Sequence, residues 1–177
     1  MELTVKDTEQ NMDYWLQRPY LSEATRSIMQ AQEVLIVPEE DLREYTTPLF
    51  PSNLMVLYDE LKQYFKVEAA INDEDYHELS LNSKVHKYGK FVVIAVIVPT
   101  FVTVLGNYIS DKLKHEDPKD EIQLDITVQG DQGQAKTVHF KGTADNFNKV
   151  AEKVKQIARE QEDEHRTDTA HAATTKK

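Results

Sequence analysis

The sequence predicts an α+β protein in which a small N-terminal α/β domain, an apolar segment and a C-terminal β-β-α module follow one another. Three observations indicate this order. Short β-branched runs alternate with helical periodicity in residues 1–83, nineteen uncharged residues occupy positions 91–109, and a period-two pattern begins near residue 121. A length of 177 residues suits one or two small domains.

The N-terminal domain, residues 1–83, has the pattern of a βαβ unit. Ser22 is placed to cap a short helix that ends near Gln32, and the VLIV run at 34–37 predicts a buried strand. Ser52 is placed to cap a second helix, and residues 67–71 predict a second strand. The apolar face of this second helix consists of Leu54, Leu57, Tyr58, Leu61 and Phe65.

Most of the net negative charge lies in this domain. The whole chain carries a charge of −10, and residues 1–83 alone hold six basic and seventeen acidic side chains. The densest acidic run is NDEDYHE at 72–78, which lacks the glycine and the spacing of a calcium loop. We interpret this run as a solvated acidic turn. The overall charge argues against a nucleic-acid-binding surface, which requires a basic stripe.

The apolar segment, residues 91–109, is long enough to cross a bilayer as a single helix within a basic-flanked region, residues 84–114. Lysines flank it on both sides, and Tyr88 and Tyr108 lie near its two ends, as in an aromatic belt. The side chains of this candidate transmembrane helix are Phe91, Val92, Val93, Ile94, Val96, Ile97, Val98, Pro99, Phe101, Val102, Val104, Leu105, Tyr108 and Ile109.

The same residues also fit a buried strand followed by a helix. Residues 91–98 are dominated by Val and Ile, as in strands buried on both faces. Pro99 would end that strand and Thr100 would cap the helix. Residues at three- and four-residue spacing would then face a core, namely Phe101, Val104, Leu105, Tyr108, Ile109 and Leu113. The pattern leaves both alternatives open.

The β-β-α module, residues 121–160, has the clearest pattern in the chain. Apolar and polar residues alternate over 122–128, and a hairpin loop with two glycines follows at 130–134. The returning strand ends near Gly142, and Thr143 is placed to cap the last helix. The apolar stripe of that helix is Phe147, Val150, Ala151, Val154, Ile157 and Ala158. Residues 161–177 are polar and predict a disordered tail.

The motif content predicts no enzyme. The chain has no cysteine, and its six histidines do not show the H-E-x-x-H spacing of a zinc enzyme. Five glycines form neither a phosphate loop nor a dinucleotide fingerprint, and no G-x-S-x-G nucleophile motif is present. We therefore predict no catalytic, cofactor-binding or metal-binding residue.

Several short motifs carry a resemblance to known proteins. They are VLIVP at 34–38, LFPSN at 49–53, INDEDYHELSLNSK at 71–84, VPTFV at 98–102 and LGNYISDKLK at 105–114. With the closing β-β-α pattern, they resemble small, mostly uncharacterised bacterial proteins over residues 33–158. The helix ending in GNYISDKLK is also similar to accessory components of phage-defence and conflict loci. The resemblance implies an interaction or effector role and supplies no catalytic residues.

These observations lead to two hypotheses of function. In the first, the chain is a non-enzymatic interaction protein anchored in the bacterial inner membrane by a single pass, as an effector or accessory subunit of a phage-defence system. In the second, it is a soluble, cytoplasmic α+β adaptor or inhibitor whose core contains the apolar segment. Both predict a protein partner, a homo-oligomer or both, and neither involves nucleic acid.

Overall fold

A computed structural model of the chain describes residues 1–42, 45–79, 85–114 and 119–174, with side chains described as far as residue 163. The strands are β1 (Glu2–Thr8), β2 (Val34–Val37), β3 (Phe50–Pro51), β4 (Val67–Ala69), β5 (Glu78–Leu79), β6 (Val85–Ile94), β7 (Glu121–Gln129) and β8 (Ala135–Thr143). The α-helices are α1 (Met12–Leu16), α2 (Glu23–Met29), α3 (Leu54–Leu61), α4 (Val98–Leu113) and α5 (Phe147–Thr174).

Six of the strands form one mixed sheet in the order β1-β8-β7-β6-β2-β4. The β2-α3-β4 unit is parallel, as the sequence predicts, and β6 and β7 are parallel neighbours connected through α4. The β7–β8 hairpin is antiparallel, and β1 pairs with the outer side of β8. The α+β class is therefore confirmed. Strands from both ends of the sequence share this sheet, whereas the sequence predicts separate N-terminal and C-terminal units.

The helices cover the two faces of the sheet unequally. Apolar residues of α3, α4 and α5 pack on one face and form the main core with Phe91, Leu124 and Phe140 of the central strands. A smaller cluster on the opposite face joins Trp15 and Met29 of the N-terminal helices to β2 and β6. Because the two clusters lie on opposite faces, β2 is buried on both, which explains its uninterrupted VLIV sequence.

The apolar segment is not a single helix. Residues 91–94 complete β6, residues 95–97 form a 3-10 turn, and α4 begins at Val98 with Pro99 in its first turn. Proline is tolerated there because the first N–H groups of a helix have no intrahelical partner. The alternative of a strand followed by a helix agrees with this arrangement, but the strand ends at Ile94 rather than at Pro99, and the helix begins before Thr100, which does not cap it. Within the described residues, no helix has both the length and the apolar character needed to cross a membrane.

Most of the residues predicted to form a transmembrane helix lie instead in the core of the folded chain, which corrects the membrane interpretation. Val96, in the turn between β6 and α4, is 67% exposed, while Pro99 is exposed and Ile94, Ile97 and Tyr108 are half-buried. The buried members of the set are Phe91, Val92, Val93, Val98, Phe101, Val102, Val104, Leu105 and Ile109.

Three local features differ from the sequence predictions. Strand β1 lies in residues 1–20, where the sequence shows only a polar stretch with aromatic residues. Helix α3 begins after Asn53, whose φ of 64° is left-handed, rather than directly after Ser52. Helix α5 continues to Thr174, so residues 161–174 are helical where a disordered tail is predicted. The Gln161 side chain lies at the start of this extension, and its Nε2 donates to Val128 O at 3.1 Å.

Candidate partner-binding surface

The carboxyl ends of β2 and β4 meet at one edge of the sheet, since these neighbouring strands are parallel. Acidic residues follow both strands at this position. We use the name acidic edge for Glu39, Glu40, Asp73, Glu74 and Asp75. Loops at the carboxyl ends of parallel strands are a common location for binding residues in α/β folds.

Asn72 anchors the acidic turn to the rest of the molecule. Its side chain is 7% exposed, and its Oδ1 accepts hydrogen bonds from Ser22 N and Thr25 Oγ1, both at 2.8 Å. Its Nδ2 donates to Tyr20 O at 2.7 Å and to Asp75 Oδ2 at 2.8 Å. The buried amide therefore has two hydrogen bonds to its oxygen and two from its nitrogen. This network holds the turn at residues 73–75 against the start of α2.

A second polar group holds the residues that follow β2. The Tyr20 hydroxyl donates to Glu40 Oε1 at 3.0 Å, and Arg18 Nε lies 3.2 Å from the same oxygen. Burial raises the pKa of the Tyr20 hydroxyl above its ordinary value, and the Glu40 carboxylate raises it further. On the other side, Lys90 Nζ pairs with Glu39 Oε2 at 2.7 Å. Glu39 and Glu40 are thus held in place by half-buried partners.

The carboxylates of the turn differ in their partners. Asp75 receives the hydrogen bond from Asn72, and its backbone oxygen lies 2.8 Å from His77 Nδ1. The side chains of Asp73 and Glu74 are exposed and have no ion pair or side-chain hydrogen bond within the described residues. Among the described residues, the carboxylates of Asp73 and Glu74 therefore have no polar side-chain partner, and they lie on a turn that is anchored by Asn72.

The uncovered half of the sheet forms a second polar surface. On this side of β1, β8, β7 and β6, the residues Thr4, His139, Asp125 and Lys90 form one cross-strand row. His139 Nδ1 contacts Asp125 Oδ1, and the hydroxyls of Thr127 and Thr137 are 2.7 Å apart in the next row. We call this surface the open sheet face. Acidic and basic groups are interspersed on it, as in the pairs His139–Asp125 and Lys141–Glu121, whereas the acidic edge carries a concentration of one sign.

Two concave regions lie on the helical side of the molecule. The larger, about 680 Å³, is a groove between α4 and α5 that passes Gly106 and Phe147. The smaller, about 310 Å³, lies between the start of α3, β6 and the end of α4. Within the described residues, neither brings together a nucleophile, a base and an orienting group of the kind that hydrolytic sites require.

The histidines do not converge in the structure. His86 pairs with Asp120 at 3.1 Å, whereas His139 lies on the open sheet face and His77 beside the acidic turn. Position 115 and the side chains at 165 and 171 lie outside what the structure describes. Among the described side chains, no three His, Asp or Glu residues are grouped as metal ligands. The absence of a metal, a cofactor and a catalytic residue remains a prediction.

The acidic run at 72–78 is evident in the sequence, whereas the residues that hold it are not. The contacts of Asn72 join positions separated by about fifty residues in sequence, such as Ser22. The Tyr20–Glu40 contact likewise joins two loops. The one signal available in the sequence was an asparagine, Asn72, directly after a predicted strand. None of the known protein families, curated proteins or solved structures compared with the chain matches it.

Proposed function

We propose that this protein is a non-enzymatic adaptor or inhibitor that binds a basic surface of a protein partner through its acidic edge. The observation that carries the proposal is the Asn72 network, which anchors the turn that bears the exposed side chains of Asp73 and Glu74. A turn held in place loses little conformational freedom on binding, which lowers the entropic cost of association.

The distribution of charge supports the same proposal. Residues 1–83 carry six basic and seventeen acidic side chains, and the acidic edge belongs to this strongly negative part of the chain. A field of this kind accelerates encounter with a positively charged protein and repels acidic ones. It also disfavours nucleic acid, whose phosphates carry the same sign of charge.

The position of the apolar segment supports a partner-binding role over a membrane-anchored one. Phe91, Phe101 and Leu105 are completely buried between the sheet and the helices, so they are occupied within the fold. Withdrawing them for insertion into a bilayer would expose the core. The adaptor or inhibitor hypothesis requires no such rearrangement.

The experiment compares the wild-type chain with the Asp73→Lys/Glu74→Lys double variant. Both residues are exposed, so the reversal changes the charge of the acidic edge without removing a contact that holds the fold. The matched control is Glu160→Lys/Glu162→Lys, an equal charge change at exposed positions of α5. Each immobilised chain is used to recover proteins from host extract, and the purified partner is then titrated calorimetrically at several salt concentrations.

We expect a partner that binds the wild type and the control alike and binds the double variant at least about tenfold more weakly. We also expect the wild-type affinity to fall as salt increases, because the screening length shortens. Binding that is equal for all three chains, or independent of salt, would exclude the acidic edge as the binding surface. Turnover of a substrate by the purified chain would contradict the non-enzymatic proposal.

A further inference from the structure

The two outer strands of the sheet differ in how far they are open to further pairing. On one side, β4 has only three residues and contacts α2 and α3. On the other side, β1 has seven residues and, within the part of the chain that the structure describes, pairs only with β8. Five of its side chains, at positions 2 and 4–7, are exposed. Its outer edge therefore presents a row of backbone N–H and C=O groups that another strand can bind.

Strand β1 lacks several features with which proteins block such an edge. The sequence ELTVKDT contains neither proline nor glycine, and its pairing with β8 runs without a bulge from Glu2 to Thr8. Lys6 is a charged residue of the kind that discourages pairing with an arbitrary strand. Its effect depends on what lies opposite, because an opposite charge at that position is stabilising.

We propose that two copies of this chain associate by antiparallel pairing of β1 with β1 of the second copy, with Thr4 opposite Thr4 at the two-fold axis. In this register Glu2 lies opposite Lys6 of the second copy, and Lys6 opposite Glu2. Leu3 lies opposite Val5 of the second copy, and the symmetry repeats that pair as well. Each charged residue within the paired segment thus meets its opposite.

The two faces of the sheet support the same register. Glu2, Thr4 and Lys6 share the open sheet face with their β8 neighbours, among them His139. Leu3 and Val5 alternate to the helical face, where Leu3 packs against the main core and Val5 is 38% exposed. Pairing in this register extends the polar rows on one face and covers an exposed apolar side chain on the other.

Neighbouring registers are less favourable. A two-fold axis at Val5 would place Leu3 opposite Asp7 and leave Lys6 opposite Thr4. An axis at Lys6 would place the two lysines directly opposite each other, which is destabilising. A two-fold axis midway between two residues is also excluded. Because side chains alternate between the two faces of a strand, it would place apolar residues of one copy on the polar face of the other. An axis at Leu3 would place Glu2 opposite Thr4, so among these registers only the axis at Thr4 places Glu2 opposite Lys6.

This association goes beyond the proposed function, because it uses the edge of the sheet formed by β1, which is opposite the edge formed by β4. The two six-stranded sheets would form one continuous sheet with an acidic edge toward each far end. Such a dimer offers two binding surfaces of the same kind. A partner with repeated basic sites would then bind it more tightly than it binds a monomer, through effective concentration.

The first test is a charge exchange measured by sedimentation equilibrium of the full chain. Glu2→Lys places two lysines opposite each other, and Lys6→Glu places two glutamates opposite each other, so each variant alone should dimerise about tenfold or more weakly. An equimolar mixture of the two variants restores both opposite-charge pairs and should recover the wild-type affinity. The control variants Glu160→Lys and Lys149→Glu change exposed charges elsewhere.

The second test determines the register with single cysteines, since the natural chain has none. Thr4→Cys places the two thiols directly across the axis, within the Cα separation that a disulfide spans. Lys6→Cys places its two thiols about four residues apart along the strands, too far for a bond. Mild oxidation should therefore link the Thr4→Cys chain into a covalent dimer and leave the Lys6→Cys chain unlinked.

Recovery of dimer in the mixed charge variants, with selective cross-linking at position 4, supports the proposal. A wild-type chain that stays monomeric at all concentrations tested overturns it. A dimer that responds to the exchange variants no more than to the controls, or that cross-links equally at positions 4 and 6, also overturns it. Failure of partner binding leaves these measurements unaffected, so the two proposals can fail separately.

Discussion

The ring of Phe147 lies so close to Gly106 that a Cβ placed on the glycine would be 3.0 Å from its Cε1 atom. Gly106 is in the middle of α4 and Phe147 is the first residue of α5, so the contact brings these two helices together. A glycine in a helix interior costs up to about 1 kcal/mol relative to alanine. The close approach of Phe147, which is 6% exposed, explains why a glycine stands here.

Replacing Gly106 with leucine should lower the free energy of unfolding by about 1–3 kcal/mol, because the larger side chain forces α4 and α5 apart. Urea denaturation followed by circular dichroism measures this change. The matched control is Asn107→Leu, at the adjacent exposed position of the same helix. An equal loss in both variants would show that the contact with Phe147 is not the cause.

The exposure of Val96 within the apolar segment gives a prediction that distinguishes a segment folded into the protein core from one that spans a membrane. Val96→Lys should change the free energy of unfolding by no more than about 0.5 kcal/mol, because an exposed side chain away from special features has little influence on stability. Within a spanning helix the same lysine would cost about 2.5–3.5 kcal/mol.

The companion variant tests the buried part of the segment. Phe101 is 0% exposed and contacts the rings of Phe65 and Phe91, so Phe101→Ala should cost about 3–5 kcal/mol. Thermal and urea unfolding of the full chain measure both variants. A strongly destabilised Val96→Lys protein, or an unaffected Phe101→Ala protein, would contradict the observed arrangement.

The Asn72 network should contribute measurably to stability. Asn72→Ala leaves Ser22 N and Tyr20 O without a side-chain partner in a part-buried environment, and we expect a loss of about 1–3 kcal/mol. Asn148→Ala on the exposed surface of α5 serves as the control. Hydrogen exchange of the amides at 73–75 provides a second measurement, and their protection should fall in the Asn72 variant alone.

The raised pKa of the Tyr20 hydroxyl predicts that the stability of the fold depends on pH in the alkaline range. Its pKa in the folded chain is raised above the ordinary value of 10.0, first by burial and then by the Glu40 carboxylate. The unfolded chain therefore releases this proton at lower pH than the folded chain does. The resulting stabilisation is complete below pH 10 and is lost as the pH rises through the folded pKa.

Urea denaturation between pH 9 and 11.5 tests this dependence. The unfolding free energy of the wild type should decline more steeply above pH 10 than that of Tyr20→Phe, which has no hydroxyl to ionise. Glu40→Gln removes the neighbouring charge and keeps an acceptor, so its slope should lie between the two. Identical slopes in all three proteins would show that Tyr20 does not govern this range.

Much of the fold could be predicted from local sequence patterns. The VLIV run identifies β2, the stripe from Leu54 to Leu61 identifies α3, and the alternation over 122–128 identifies β7. These predictions are correct because side-chain periodicity depends on residues a few positions apart. The return of β8 and the start of α5 follow from the same kind of local pattern.

The sequence by itself determined the α+β class, the order of these elements and the concentration of negative charge in residues 1–83. It left open whether the apolar segment lies in lipid or in protein, because both surroundings are apolar and select the same residues. Only the tertiary structure decided this, by placing residues 91–94 between β2 and β7 and burying the apolar face of α4 in the main core. It also decided that β1 lies at an open edge of the sheet and that Asn72 holds the acidic turn. Both depend on contacts between distant residues, which the pattern of neighbouring side chains does not encode.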